Sequence, residues 1–71
     1  MNYSTMWTGL TTSENPNETA YRDTWPDSDY LWNDNGTVYK TTANGTVPYS
    51  PTQQDESANN WELDSDKPPH R

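Results

Sequence analysis

The sequence predicts a small, mostly irregular and extended chain with a short antiparallel β-meander and one or two short helices, ordered mainly by a partner. Three observations lead to this prediction. Only 27% of the 71 residues are hydrophobic, and these include four Trp and five Tyr. The formal net charge is −7, with six Pro and no Cys. Asn-Gly, the strongest short signal for a hairpin turn, occurs at 35–36 and again at 44–45.

Aliphatic side chains are too few to predict a sealed interior. Besides its rings the chain offers three Leu, two Val, two Met and three Ala, and it has no Phe or Ile. A domain of this size buries only about 60% of its unfolded surface. Small domains usually add disulfides, a metal or a partner. The chain has no Cys and His70 is its single histidine, so the common disulfide and zinc arrangements are excluded. We therefore expect residues 1–71 to form one single small chain that a partner orders.

Residues 1–14 are predicted to form an anchoring arm. Met6, Trp7 and Leu10 have helix-like spacing, but Thr and Ser fill the positions between them and Gly9 interrupts the run. An extended arm with anchoring side chains is therefore at least as well supported as one or two turns of helix.

A short helix is predicted over 15–26, with its regular part at about 16–25. Pro16 suits a first helical position, and the asparagine before it suits a helix cap. Tyr21 and Trp25 would then lie one turn apart on the same face. Because a helix of about ten residues is marginal in water, that aromatic face needs a surface to pack on.

Two β-hairpins are predicted over 30–50. A turn at the first Asn-Gly places Trp32 opposite Tyr39 and Tyr30 opposite Thr41. The strands predicted in this way are 30–34, 37–43 and 46–50.

The second Asn-Gly, at 44–45, predicts the other hairpin tip. This turn places Lys40 opposite Tyr49 and Thr42 opposite Val47. Pro48 then lies on an edge strand, where its missing N–H is tolerated.

Both faces of the predicted meander carry apolar side chains. One face collects Tyr30, Trp32, Tyr39 and Pro48, and the other collects Leu31, Val38, Val47 and Tyr49. An exposed antiparallel sheet normally keeps one polar face. We therefore expect the sheet to be covered twice, once by its own helix and once by a partner, although one face can equally be packed within the chain.

Residues 51–71 are predicted to form a polar C-terminal segment. A short helix at about 54–63 would bring Ala58 and Trp61 together, although Asn59 and Asn60 are poor helix formers.

No catalytic or metal site is predicted, and no cofactor. A single histidine near the end of the chain is a poor general base. Asp-Ser-Asp at 27–29 and at 64–66 raises calcium as an alternative, but counting from Asp27 or Asp29 the pattern lacks the Gly and the Glu of an EF-hand loop. Four basic residues against eleven acids argue against direct nucleic-acid binding. We also expect no membrane span, no signal peptide and no small-molecule substrate.

The dispersed rings favour a non-enzymatic accessory subunit that wraps a larger protein assembly in multiple copies. We expect a cement, clamp or decoration protein of a phage or virus particle, located in the virion and assembled in the host cytoplasm. The main alternative is an acidic inhibitor that mimics nucleic acid in a basic groove, and a carbohydrate-contacting module ranks third. The predicted partner-binding residues are Trp7, Trp25, Trp32, Trp61, Tyr21, Tyr30, Tyr39 and Tyr49.

Overall fold

The computed structural model describes residues 1–15 and 17–64, which form a five-stranded antiparallel sheet and two short helices. The strand order across the sheet is β4-β3-β2-β1-β5. This compact domain confirms the predicted antiparallel sheet with short helices, and it adds two strands to the predicted meander. In chain order the elements are α1 (Tyr3–Thr12), β1 (Thr19–Arg22), β2 (Tyr30–Asp34), β3 (Thr37–Thr42), β4 (Gly45–Pro48), α2 (Gln53–Ser57) and β5 (Trp61–Asp64).

The predicted N-terminal arm is the helix α1. Asn2 caps it, because its side-chain oxygen accepts the backbone N–H three residues later at 2.8 Å. Met6 and Leu10 are fully buried against the sheet. Their helical spacing therefore predicted the structure of this segment correctly, and the extended alternative is wrong. Gly9 does not break the helix: a Cβ at this position would lie 2.5 Å from Leu63 Cδ1, so the missing side chain lets α1 approach β5 closely.

The helix predicted over 15–26 is wrong, because this part of the chain contains the strand β1. β1 lies between β2 and β5, and its residues Thr19 and Ala20 are both fully buried. Since neighbouring strand residues point to opposite faces, burial on both sides of the sheet favours a strand. Tyr21 and Trp25, predicted on one helical face, lie on opposite sides of the sheet.

A local turn uses the cap signal that predicted this helix. The Asn15 side chain accepts the Asn17 N–H at 2.9 Å, and its carbonyl accepts the Glu18 N–H at 3.1 Å. Asparagine side chains close turns of this kind as readily as they begin helices. Pro16, predicted as the first helical residue, lies outside the described residues.

The first hairpin is confirmed in turn and register. Asn35 and Gly36 have φ of +56° and +89°, as a two-residue type I′ turn requires. Trp32 pairs with Tyr39 across β2 and β3, two strands that the turn joins directly.

The second hairpin differs from the prediction by two residues in register. Lys40 pairs with Val47, and not with Tyr49, while Thr42 pairs with Gly45. The turn closes one residue early because Gly45 alone adopts a positive φ here, at +128°. A shift of two residues preserves the alternation of side chains, so the predicted division between faces is confirmed for this strand.

The C-terminal helix predicted at about 54–63 is replaced by a single short helix and a strand. Thr52 and Asp55 form a capping box that begins α2. The chain then enters β5, which pairs with β1 and buries Trp61. Residues 65–71 of the predicted polar segment lie outside the described residues.

The core lies between the helices and one face of the sheet. Trp61 is at its centre, with ring centroids 5.2 Å from Trp25 and 5.9 Å from Tyr3 in edge-to-face geometry. The rings supply the volume that the aliphatic side chains lack, so the expectation that no sealed interior can form is wrong. The buried core cluster is Met6, Leu10, Ala20, Leu31, Val38 and Trp61.

Candidate interaction surface

The two faces of the sheet differ in what covers them. The inner face carries the core cluster and, among the described elements, both helices pack on this side. Side-chain alternation and strand register define the outer face. Its aromatic and proline members are Tyr21, Tyr30, Trp32, Tyr39 and Pro48, and its polar members are Thr19, Asp34, Thr37, Thr41, Thr46, Glu62 and Asp64.

Trp32 and Tyr39 form the centre of the outer face. Their rings stack with centroids 5.1 Å apart and an interplanar angle of 28°. The Trp32 Nε1–H donates to Thr41 Oγ1 at 2.8 Å, and that hydroxyl also bonds Thr46 Oγ1 at 2.9 Å. Trp32 is thereby fixed and nearly buried, whereas Tyr39 keeps part of its ring exposed.

Tyr21 marks the other end of the outer face and is surrounded by carboxylates. It lies directly opposite Glu62 in the pairing of β1 with β5. Desolvation raises the pKa of its hydroxyl, and the negative charges of Glu62, Asp64 and Asp27 raise it further. The Tyr21 ring is half-exposed, so this end combines an aromatic surface with several acids.

The predicted partner-binding residues divide between the two faces. Tyr30 and Trp61 have no exposed surface, so neither offers contact area to a partner in this fold. Tyr21 and Tyr39 are the two predicted anchors that are half-exposed on the outer face. Of the eight anchors, those that pack with the core on the inner side are Trp7, Trp25, Trp61 and Tyr49.

Asp55 joins several elements on the inner side, and sequence reasoning missed it. Its carboxylate accepts the Tyr49 hydroxyl at 2.9 Å and forms an ion pair with Arg22 at 3.4 Å. Its backbone carbonyl accepts the Trp61 Nε1–H at 2.9 Å. Burial, followed by the hydrogen bond to Asp55, raises the pKa of Tyr49 well above its usual range. The spacing of Thr52 and Asp55 was the available signal, because it matches a capping box.

The sheet edges are partly blocked, so the face is the better docking surface. The Tyr49 N–H donates to the Val38 carbonyl, so these two residues form a hydrogen-bonded pair between β3 and the chain after β4. The neighbouring pair of Tyr39 and Pro48 is therefore a non-hydrogen-bonded pair, and the backbone of Pro48 points toward the open edge. Proline presents no N–H there, which discourages the addition of another strand. At the opposite edge, the amino group of Met1 donates to the Trp61 carbonyl at 2.8 Å, and the Trp61 N–H donates to the Met1 carbonyl at 3.1 Å.

The described residues contain no pocket and no group of three or more acidic, His or Cys side chains arranged to hold a metal ion. Neither helix within 1–15 and 17–64 is long and apolar enough to cross a membrane. Comparison with known proteins returns no match to a family model, to a curated protein or to a solved structure.

Proposed function

We propose that this protein is a non-enzymatic accessory subunit, of the cement, clamp or decoration kind, that binds a larger protein assembly through the outer face. The observation that carries this proposal is the partial exposure of Tyr21 and Tyr39 on the side of the sheet away from both described helices. Tyrosine rings contribute large contact areas and are enriched among the residues that dominate binding energy. Pro48, exposed beside Tyr39, extends the same surface.

A phage or virus particle is the assembly that we propose. The chain is rich in Thr and Asn, has two Asn-Gly hairpin tips and contains no Cys, a composition that suits a virion protein. A symmetric shell offers many equivalent sites, so one small surface acts in many copies. The protein would then be assembled in the host cytoplasm and located in the virion.

The partner also contributes to the order of the chain in this proposal. With 71 residues the free domain is small, and a domain of this size buries only about 60% of its unfolded surface, which limits its stability even with an aromatic core. A partner that binds only the folded form adds about 2.7 kcal/mol when its free concentration is 100 times the dissociation constant.

Rate-zonal sedimentation of lysates from cells that naturally produce the chain tests the proposal. We expect the chain to sediment with large particles in a constant ratio to their main protein. The Tyr21→Thr/Tyr39→Thr variant should remain at the top of the gradient, because it removes both half-exposed rings. Val47→Thr is the matched control, since Val47 is 58% exposed but has inner-face orientation. Wild-type chain that stays at the top of the gradient contradicts the proposal.

An acidic inhibitor of a nucleic-acid-binding protein is the second candidate, and the net charge of −7 favours it. Such an inhibitor occupies a basic groove, so a short DNA duplex should compete with it for the target. An accessory subunit on a particle should not be displaced by the same duplex. This competition therefore separates the two candidates.

A further inference from the structure

Positive side chains of the described residues are confined to the inner side of the sheet. Arg22 donates from Nε to Asn60 Oδ1 at 3.0 Å and from an Nη to Asp55 at 3.4 Å. The Lys40 Nζ lies 4.2 Å from the centroid of the Trp25 ring. Both cations are thus engaged with groups that pack on or beside the core.

The outer face has the opposite charge. No basic residue occupies an outer-face position in β1 to β5, whereas Asp34, Glu62 and Asp64 do. These acids flank the half-exposed rings. Asp34 is the diagonal neighbour of Tyr39, and Glu62 lies opposite Tyr21. Burial, and after it the negative charges of Glu62, Asp64 and Asp27, raise the pKa of the Tyr21 hydroxyl.

We propose that the outer face binds a protein surface that presents arginine side chains, with guanidinium groups stacked on Tyr21 and Tyr39 and paired with the flanking acids. This inference rests on the proposed function and names the chemistry of the partner. A guanidinium group is planar, so it stacks on a ring while its edge donates two hydrogen bonds to a carboxylate. Lysine offers only a strongly hydrated point charge, which suits this combination of ring and acid less well.

A second copy of the chain is a poorer occupant of the outer face. Two such faces in contact would bring acids against acids without a basic residue from the described strands between them. Like charges in apposition disfavour such an interface. The charge that the described strands give to this face therefore favours a basic partner that is a different protein.

The test is a titration of the full 15N-labelled chain with an end-blocked octapeptide of alternating Gly and Arg, followed by two-dimensional NMR. We expect the amide signals around Tyr21 and Tyr39 to shift, and those of α1 to change little. An octapeptide of alternating Gly and Lys should bind about 3-fold more weakly, the difference expected for a modest loss of stacking energy.

A matched pair of substitutions locates the interaction. Glu62→Gln and Glu14→Gln remove the same charge from two exposed glutamates, but only Glu62 belongs to the outer face. Glu62→Gln should weaken binding of the arginine peptide about 3-fold, and Glu14→Gln should change it far less. Equal weakening by both substitutions, or equal affinity for the two peptides, overturns the proposal.

Two further outcomes would assign the face to another occupant and also overturn the proposal. The first is a dimer of the free chain, seen by sedimentation equilibrium, that Tyr39→Thr abolishes. The second is tighter peptide binding by the full-length Lys67→Gln/Arg71→Gln variant, which would make the C-terminal residues the competitor. Failure of the peptide experiments with continued sedimentation on particles rejects the arginine partner alone. Absence from the particles rejects the proposed function itself.

Discussion

The inner and outer faces of the sheet use the same kinds of side chain for different purposes. On the inner face, Trp61 is enclosed by other rings and its indole N–H is bonded to the Asp55 carbonyl. On the outer face, Trp32 is fixed by a threonine hydroxyl and supports Tyr39, whose ring remains half-exposed. The contrast shows that the identity of an aromatic residue does not decide whether it stabilises the fold or offers contact area. Its face and its hydrogen-bond partner do.

The two tyrosines Tyr49 and Tyr39 make the same contrast at single residues. Tyr49 lies against the core, with its hydroxyl bonded to Asp55 and its ring 6.3 Å from that of Trp7. Tyr39 stacks on Trp32 and faces outward beside Pro48. We therefore expect substitutions on the inner side to lower the free energy of unfolding and substitutions at the partly buried outer rings to affect mainly binding.

The largest expected effect is that of Trp61→Ala. Removing a fully buried ring leaves a cavity and one hydrogen bond fewer at the Asp55 carbonyl, and should lower the free energy of unfolding by about 3–5 kcal/mol. Urea unfolding followed by circular dichroism measures the loss. Trp7→Ala is the control, because Trp7 is only half-buried and should cost clearly less. A loss below about 1 kcal/mol for Trp61→Ala would show that the inner face is not what holds the fold.

Asp55→Ala should have the next largest effect. The substitution removes the acceptor for Tyr49, the ion-pair partner of Arg22 and half of the capping box at Thr52. We expect a loss of about 2–3 kcal/mol in urea unfolding. Asp55→Asn keeps a side-chain oxygen for the cap and should recover part of this loss. Asn has nearly the volume of Asp, so equal losses for the two variants would mean that the negative charge of Asp55, and not its packing or the cap, is what stabilises the fold.

Gly36→Val should cost about 2 kcal/mol, because a β-branched residue strongly resists the positive φ of +89°. This hairpin joins β2 to β3 and therefore serves both faces. Asn35→Gly is the matched control, since glycine adopts the φ of +56° at that position without strain. Thermal unfolding of both variants makes the comparison. An unchanged melting temperature for Gly36→Val would contradict the type I′ turn.

Tyr49→Phe should cost about 1 kcal/mol, the usual contribution of one hydrogen bond. It should also change the response to alkaline pH. The folded state holds the Tyr49 proton more tightly than the unfolded state, so stability is full below about pH 10 and falls as the pH rises above it. Urea unfolding at about pH 8 and about pH 11 should show a smaller alkaline loss for Tyr49→Phe than for wild type. Parallel losses would contradict the role of Tyr49.

Local chemistry made the central hairpins predictable from sequence. A two-residue type I′ turn needs two residues that tolerate positive φ, and Asn35 with Gly36 is such a pair. Strand alternation then assigns side chains to faces even when the register of the second hairpin slips by two, as it does at Lys40.

Long-range pairing made the rest unpredictable. The signals at Asn15 fit a helix cap and a turn equally well, and pairing of β1 with β2 and β5 decided between them. The role of Gly9 cannot be predicted locally, because its contact with Leu63 depends on a strand 54 positions away (63 − 9). The sequence identifies the anchors as aromatic residues, but their division between faces depends on the full sheet. The bond of Asp55 to Arg22 likewise spans 33 positions and left no sequence pattern.

Urea unfolding of the isolated Tyr21→Thr/Tyr39→Thr variant tests the division between the faces most directly. Threonine retains good strand propensity, so this variant keeps the strands and removes two partly buried rings, together with the stack of Tyr39 on Trp32. We expect one cooperative transition with an unchanged slope and a free energy of unfolding within about 1 kcal/mol of wild type. A loss as large as that of Trp61→Ala would mean that the outer face holds the fold, and would contradict its assignment as a binding surface.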